Sequence, residues 1–403
     1  MTAVQNAHRI TDEAEALAVA ADLAAQFAAD APARDADRTL PYDEVRALAR
    51  SGLLTLSVPR EHGGIDARTE TLTEVFRLLG EADPSIAQIP HSHYTFLEVL
   101  RLQGTAEQRE FFYKEVLAGA QFANAQSERG TKTIDVDATT LLEDGTDFVV
   151  DGKKFYCTGA LFADWIAVRA TLRGTTTATG KPAKAVAYVP RSASGLSIVD
   201  DWDGMGQRTT ASGTVTLDSV RVPASHVVPF SPIFDAPTTY GSQAQILHAA
   251  IDTGIASAAL NEAVRSAHRS RPYFEAGVAD AVDDPLLIQL AGEASLAVRA
   301  ATAMLREGAR SIDTARTSLT ESTAAVASID AAAAKVASAR ASLEASSVLF
   351  ELGGTRSASE SANLSRYWRD ARTHTLHDPT RWKIQHIGRW TLSGTVPPRH
   401  GLL

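Results

Sequence analysis

Between residues 12 and 120 the apolar positions recur three and four apart, the spacing of helices with one buried face. "TDEAEALAVAADLAAQFAAD" is Ala-rich, and Thr11 stands where an N-cap precedes acids in the first turn. "PYDEVRALARSGLL" offers Pro41 at a helix start and Gly52 past its end, before "SVPREHGG" breaks the pattern. "TETLTEVFRLLGEAD" and "AEQREFFYKEVLAG" predict two further amphipathic helices. Near residue 121 the period changes. "DFVVDGKKFYCTGALFADWIAVRATL", "AKAVAYVPRSASGLSIVDDW" and "SGTVTLDSVRVPASHVV" alternate as short strands do, with Asp151-Gly152 as a hairpin turn. A small barrel or sandwich is expected there. From about residue 236 the helical period returns in long tracts rich in Ala, Ser and Leu, such as "HAAIDTGIASAALNEAVRSAHRS" and "STAAVASIDAAAAKVASARASLEASSVLFELGG". Such helices approach closely, as in a four-helix bundle. The expectation is a mostly α protein with a central β domain. Its helical N-terminal domain is 1–120, its β domain 121–235 and its C-terminal helical domain 236–403.

Composition narrows the function. The 403 residues are 44% hydrophobic with a formal charge of −9, so no concentrated basic face for nucleic acid is expected. Cys157 is the single cysteine, which rules out an internal disulfide and fits a reducing compartment. The first thirty or so residues do not read as a signal peptide, and no apolar run approaches the roughly 20 residues a bilayer requires. The reading is a cytoplasmic protein with no membrane partner.

Five stretches carry candidate chemistry. "NAQSERGTK", Asn124 to Lys132, lies where helix gives way to strand and could offer backbone N–H groups to an anionic or heteroaromatic ligand. An ordinary polar loop would look the same. In "KFYCTGALFADW" a reactive Cys157 needs a cation or helix N-terminus beside it. A buried small hydrophobe is the simpler reading, and Thr158 could turn its hydroxyl to a cofactor edge. "RSRPYF" presents arginine forks suited to phosphate, or only charge at a helix end. In "PHSHYTF", His91 and His93 share a face on a strand but not on a helix, and no carboxylate stands at a zinc-site spacing, so no metal is expected. "RYWRDARTHTLHDP" sets His374 and His377 three apart, on one face of a helix. These histidines are either proton donors and acceptors near neutrality or part of a solvated basic face.

Taken together, the stretches "SGLLTLSVPREHGG", "GKKFYCTGALFADWIAV" and "FELGGTR" resemble the acyl-CoA dehydrogenase superfamily over nearly the whole chain. The resemblance implies an N-terminal helical domain, a middle β-barrel, a C-terminal four-helix bundle, a flavin at their junction and a homotetramer. A typical dehydrogenase of the family has a glutamate base after the last glycine loop. Here that place reads "THTLHDP", with no glutamate. The ending "RYWRDARTHTLHDPTRWKIQHIGRWTLSGTVPPRHGLL" and "IVDDWDGMGQRTTASGTVTLDSVRV" are instead similar to the flavin-dependent monooxygenase branch. That branch includes dibenzothiophene monooxygenase and SfnB-type sulfur-acquisition oxidoreductases.

Carried onto matching positions, the resemblance puts Asn124, Ser127 and Thr158 along the flavin and Trp202 beside its ring or the substrate. Arg271, and Arg356 after Gly353-Gly354, would hold the flavin phosphate from a neighbouring subunit. His93, His374 and His377 would face the reacting edge. The implied activity is two-component oxygenation. Reduced FMN (FMNH2), supplied by a separate NAD(P)H:flavin reductase, reacts with O2 through a C4a-hydroperoxyflavin, and a small organosulfur substrate receives the oxygen. The chain has no G-x-G-x-x-G after a strand, which fits a partner that handles the nicotinamide. The alternative is an FAD-dependent acyl-CoA dehydrogenase whose base has moved, to Glu262 or Glu344.

Overall fold

Asp12, and not Thr11, caps the first helix. Its carboxylate accepts the Glu15 N–H at 2.9 Å, while the Thr11 hydroxyl turns to the Glu15 carboxylate. The structure, a computed structural model, describes residues 7–403. Met1–Asn6, the start of the segment read above as lacking a signal-peptide pattern, lie outside the described residues. Helix α1 spans Glu13–Asp37 and α2 spans Tyr42–Arg50, entered at Pro41 and left through Gly52. Then come α3 (Thr69–Ala82), α4 (Pro84–Gln88), α5 (His91–Gln103) and α6 (Ala106–Leu117). Their start signals are local. Asp83 accepts from the Ser85 and Ile86 N–H groups ahead of α4, and Thr105 and Gln108 cap each other reciprocally ahead of α6.

Eight strands follow: β1 (Phe122–Ala125), β2 (Thr140–Asp144), β3 (Asp147–Cys157), β4 (Trp165–Thr176), β5 (Pro182–Pro190), β6 (Leu196–Val199), β7 (Gly213–Pro223) and β8 (Val227–Pro229). They pair in the order β6-β7-β3-β2-β4-β5-β8, with β1 added to β4 in parallel. The expected barrel is one curled sheet, since β5 and β7 lie far apart in that order yet bury Ala187, Val189, Val215 and Leu217 in one apolar core. The hairpin turn is Gly145-Thr146, not Asp151-Gly152. Both sites read Asp-Gly, but Gly152 sits inside β3 at a register shift against β7. At φ +156° a Cβ there would lie 2.2 Å from the Thr139 hydroxyl, so this glycine serves a bulge and a close contact. Lys154, fully buried, reaches Glu128 at 2.7 Å and Asp137 at 3.0 Å, and Arg169 pairs with the same Asp137 at 2.9 Å. This network pins the "NAQSERGTK" loop to the sheet.

The C-terminal part has three long helices, α7 (Tyr240–His268), α8 (Pro285–Thr317) and α9 (Glu321–Gly353), and a short pair, α10 (Ser365–His374) and α11 (Thr380–Ser393). The expected bundle of four is therefore three long members with α10 and α11 laid against α9. Small side chains let α7 and α9 approach until Thr253 and Ser338 share a hydroxyl hydrogen bond of 2.9 Å. The core around α7 is continuous with the N-terminal helices, joining Leu72, Phe76 and Leu79 to Ile246, Ile251 and Ile312. Among the described residues no helix is long and apolar enough to cross a membrane.

Candidate active site

Four imidazoles converge where α5, α7 and α10 meet. His248 of α7 stacks on His91, the first residue of α5, with ring centroids 3.8 Å apart, and its centroid lies 4.0 Å from that of His377. His374 ends α10, and its Nε2 stands 3.0 Å from His248 Nδ1. On its other side His374 Nδ1 donates to Asp252 at 2.6 Å, one helical turn beyond His248 on α7. Lys335 of α9 donates to the second Asp252 oxygen at 2.6 Å. Lys335 and Asp252 are both 0% exposed. Burial alone would raise the Asp252 carboxyl, but the Lys335 ammonium and His374 hold it below the usual range.

Burial keeps the deeper rings neutral. His91 is pushed down to about 3, its Nε2–H donating to the Ala244 carbonyl at 2.8 Å. His248 is driven well below the ordinary histidine value by burial and the neighbouring rings. His374 is lowered too, burial outweighing the pull of Asp252. His377 is the accessible member, its side chain 39% exposed in the turn after α10. Behind it Asp378 is buried and paired with Lys383, which also donates to the Leu402 carbonyl at 2.9 Å.

A loop from the β domain reaches this seam. Thr158, after β3, shares a hydrogen bond of 2.7 Å with Ser212, which meets Thr210 at 2.8 Å. Trp202 Nε1 and the Thr210 hydroxyl both donate to the Gln207 carbonyl, and the Gln207 N–H donates to Asp370 on α10 at 2.5 Å. The chain touches α10 so closely at Gly206 that a Cβ there would lie 2.0 Å from the Arg369 carbonyl. Asp370 is one turn before His374, so the loop and the histidines share one helix as their reference.

Apart from His93, the sequence-predicted residues divide into three groups. His374, His377, Thr158 and Trp202 stand at or beside this seam. Asn124 is on β1 with a buried Oδ1 that has no partner, and Ser127 pairs with Phe155 through the backbone at the sheet edge. Arg271, Gly353, Gly354 and Arg356 gather at the far end of the bundle, where the Ser270 hydroxyl caps the Leu352 and Gly353 carbonyls. Twenty residues of α7 separate His248 from its end at His268, about 30 Å at 1.5 Å per residue.

His93 does not join the other histidines. It is 0% exposed, its Nε2–H donates to the Leu54 carbonyl at 2.7 Å and its Nδ1 accepts the Phe122 N–H at 3.1 Å. Both nitrogens are thus spent on backbone, and its helical neighbour at 91 takes the place expected of it. His377 also departs from the expected geometry, lying one turn past the end of α10 rather than on its face. Cys157 is a core residue, its thiol pushed up to about 12 by burial. Glu262 is held by Arg265 and Arg269 near the end of α7, and Glu344 faces solvent on α9, so neither carboxylate enters the cluster. His248, Asp252 and Lys335 were missed. The signal was there: "HAAID" sets His248 and Asp252 four apart, and Lys335 is a lone charge within "AAAAKVAS".

Likeness to known proteins runs over nearly the whole chain. The acyl-CoA dehydrogenase N-terminal domain matches residues 11–120, the middle domain 122–220 and the C-terminal domain 246–382. A dibenzothiophene monooxygenase of Rhodococcus qingshengii is 33% identical over 395 residues, covering 94% of this chain and 94% of the relative. A probable FMNH2-dependent monooxygenase SfnC of Pseudomonas putida is 31% identical, covering 97% and 98%. The crystal structure of FMN-bound TdsC from Paenibacillus sp. A11-2 aligns with a TM-score of 0.89 at 30% identity, over 96% of this chain and 100% of that one. With all three of its zones matched in order, the chain belongs to the acyl-CoA dehydrogenase family.

Proposed function

We propose that this protein is a monooxygenase that uses reduced FMN from a separate reductase and O2 to oxygenate a small organosulfur compound. One oxygen atom goes to substrate sulfur and the other leaves as water, with two electrons drawn from the reduced flavin. The observation that carries this reading is the buried histidine cluster. Abstraction of an α-proton from an acyl thioester needs a free carboxylate, and both carboxylates touching these rings are committed, Asp252 to Lys335 and His374 and Asp378 to Lys383. The relatives with full-length likeness are named as monooxygenases that act on dibenzothiophene or depend on FMNH2.

The residues present fit a flavin. Asn124 Oδ1 is a buried acceptor without a partner, and Thr158 places a hydroxyl after β3. An isoalloxazine edge carries both donors and acceptors and would satisfy such groups. Asn124, Ser127 and Thr158 line the ring in this reading, Trp202 packs beside it, and the flavin supplies the oxygen chemistry. His377, half open to solvent, hands protons to the reacting edge, with His91 and His374 behind it. Arg271 and Arg356, with Gly353 and Gly354, hold the phosphate of a flavin bound mainly by another subunit. Their distance of about 30 Å along α7 and the exposed apolar residues of α8, Leu286 and Leu296 at 74% and 68%, support a homotetramer. A single buried thiol fits a cytoplasmic setting.

The test is an anaerobic titration with reduced FMN, oxidised FMN and FAD, followed by O2 and a panel of sulfides, sulfones and sulfinates. Reduced FMN should bind tightest, and label from ¹⁸O2 should appear in one product. Tightest binding of FAD, with bleaching by an acyl-CoA, would overturn the reading.

A further inference from the structure

His248 ends a chain of hydrogen bonds whose direction can be worked out from one end to the other. Lys335 can only donate, so its ammonium gives a hydrogen to Asp252 Oδ2 at 2.6 Å. The ionised carboxylate can only accept, so at Asp252 Oδ1, 2.6 Å away, the hydrogen belongs to His374 Nδ1. A neutral His374 then has a bare Nε2. The contact of 3.0 Å between that nitrogen and His248 Nδ1 requires a hydrogen on His248 Nδ1. A neutral His248 is left with a lone pair on Nε2. That atom is fully buried and has no partner among the described residues. His91 leaves a second bare nitrogen in the same cluster, because its Nε2–H is committed to the Ala244 carbonyl.

We infer that Lys335, Asp252 and His374 are positioning residues that fix the tautomer of His248, so that His248 Nε2 is a hydrogen-bond acceptor for the N–H or O–H donor of a bound small molecule. Two bare imidazole nitrogens on stacked rings favour a hydrogen donor, which for an organosulfur substrate means an N–H or O–H substituent carried elsewhere on the molecule and not the sulfur group itself. The groups that face His248 are His91 of α5, Asp252 of its own helix, Lys335 of α9, His374 of α10 and His377 of the following turn. Among the fully buried ones, Lys335 and Asp252 carry opposite charges that cancel. The ligand class rests on reading this seam as the substrate site. The tautomer does not.

The test is nitrogen NMR on flavin-free protein labelled with ¹⁵N-histidine, with His248 assigned by difference from H248Q. At pH 7.5 the wild type should show His248 with a pyrrole-type Nδ1 and a pyridine-type Nε2. A protonated Nε2 on His248 in the wild type would overturn the inference. D252L/K335M replaces the pair by apolar groups of similar size, a change that buried ion pairs commonly tolerate. It should leave His374 without its acceptor and turn His248 into a mixture of tautomers. A His248 tautomer unchanged in that folded variant would also overturn it. Because neither flavin nor substrate is present, a failed oxygenation assay bears on the monooxygenase reading alone.

Discussion

Lys335 and Asp252 meet at 2.6 Å across the interface of α9 and α7, and neither is exposed. Taking one partner away leaves the other charged in an apolar core, which costs about 3–5 kcal/mol. Lys335→Met is therefore expected to lower unfolding free energy in urea by about that much. Asp252→Leu should do the same, and the double variant should lose far less than the sum. Additive losses would mean that the pair is not coupled.

Much of this was legible in the sequence because the periods were clear. The helical and alternating zones, the change near residue 121 and the long Ala-rich helices all follow from side-chain spacing. The errors were local choices between equivalent signals. Thr11 and Asp12 are both good caps, and only the path of the chain picks Asp12. Asp144-Gly145 and Asp151-Gly152 are both turn dipeptides, and the Thr139 contact decides that the second is a bulge. The site was half legible. His374 and His377 stand out in a polar stretch, whereas Lys335 needs its partner on another helix before its burial makes sense. His91 and His93 differ only in which way each points on α5, which the residue spacing allows but does not choose.

His93 should make the protein sensitive to acid. Its folded value is about 4 against an ordinary 6.5, because burial disfavours the charged ring. Below pH 6.5 the unfolded chain binds a proton that the folded chain refuses, so stability falls as pH falls. The loss is about 1.4 kcal/mol per pH unit, or about 2 kcal/mol by pH 5. His93→Gln keeps a donor for the Leu54 carbonyl and cannot titrate. The gap in unfolding free energy between wild type and this variant should shift by about 2 kcal/mol toward the variant between pH 7 and pH 5. A constant gap would contradict the assignment.

Asp370 should act in the opposite direction. Burial, with Asp35 nearby, pushes its carboxyl up to about 7. The folded state then holds a proton that the unfolded state releases. Its contribution to stability is complete below about pH 4 and is lost as pH rises through about 7, by about 4 kcal/mol at most. Asp370→Asn keeps a carbonyl for the Gln207 N–H and cannot ionise. It should match the wild type near pH 4 and melt higher at pH 8. A variant less stable at pH 8 would show that the ionised form is the one that holds the loop to α10.

The separation of Arg356 from the histidines yields a test of the assembly. If Arg356 serves a flavin in a neighbouring subunit, R356A and H377F are each defective but complement one another. Mixed assemblies made by refolding the two together, or by co-expression, would then contain sites with His377 from one chain and Arg356 from the other. Activity should return to roughly a quarter to a half of wild type, as expected when only some pairings are intact. Hybrids no more active than the better parent would place both residues in the same chain's site.

His377 is the last and sharpest case. It lies in the turn after α10, its ring 4.0 Å from that of His248, with Asp378 behind it at 3.4 Å. It is also the histidine of the cluster most open to solvent, so it can exchange protons with water while the buried rings cannot. Phenylalanine keeps the ring and its packing against His248 but removes both nitrogens. If His377 only packs, His377→Phe should bind reduced FMN and oxygenate substrate as before. If it moves the proton, flavin affinity should stay within a few-fold while substrate oxygenation falls by about 10²-fold or more, the scale of a lost general acid. The electrons must still go somewhere: reduced FMN and O2 would be consumed to give hydrogen peroxide. Stoichiometric peroxide with intact flavin binding therefore separates a proton role from a packing role, and normal coupling would leave His377 as part of the wall.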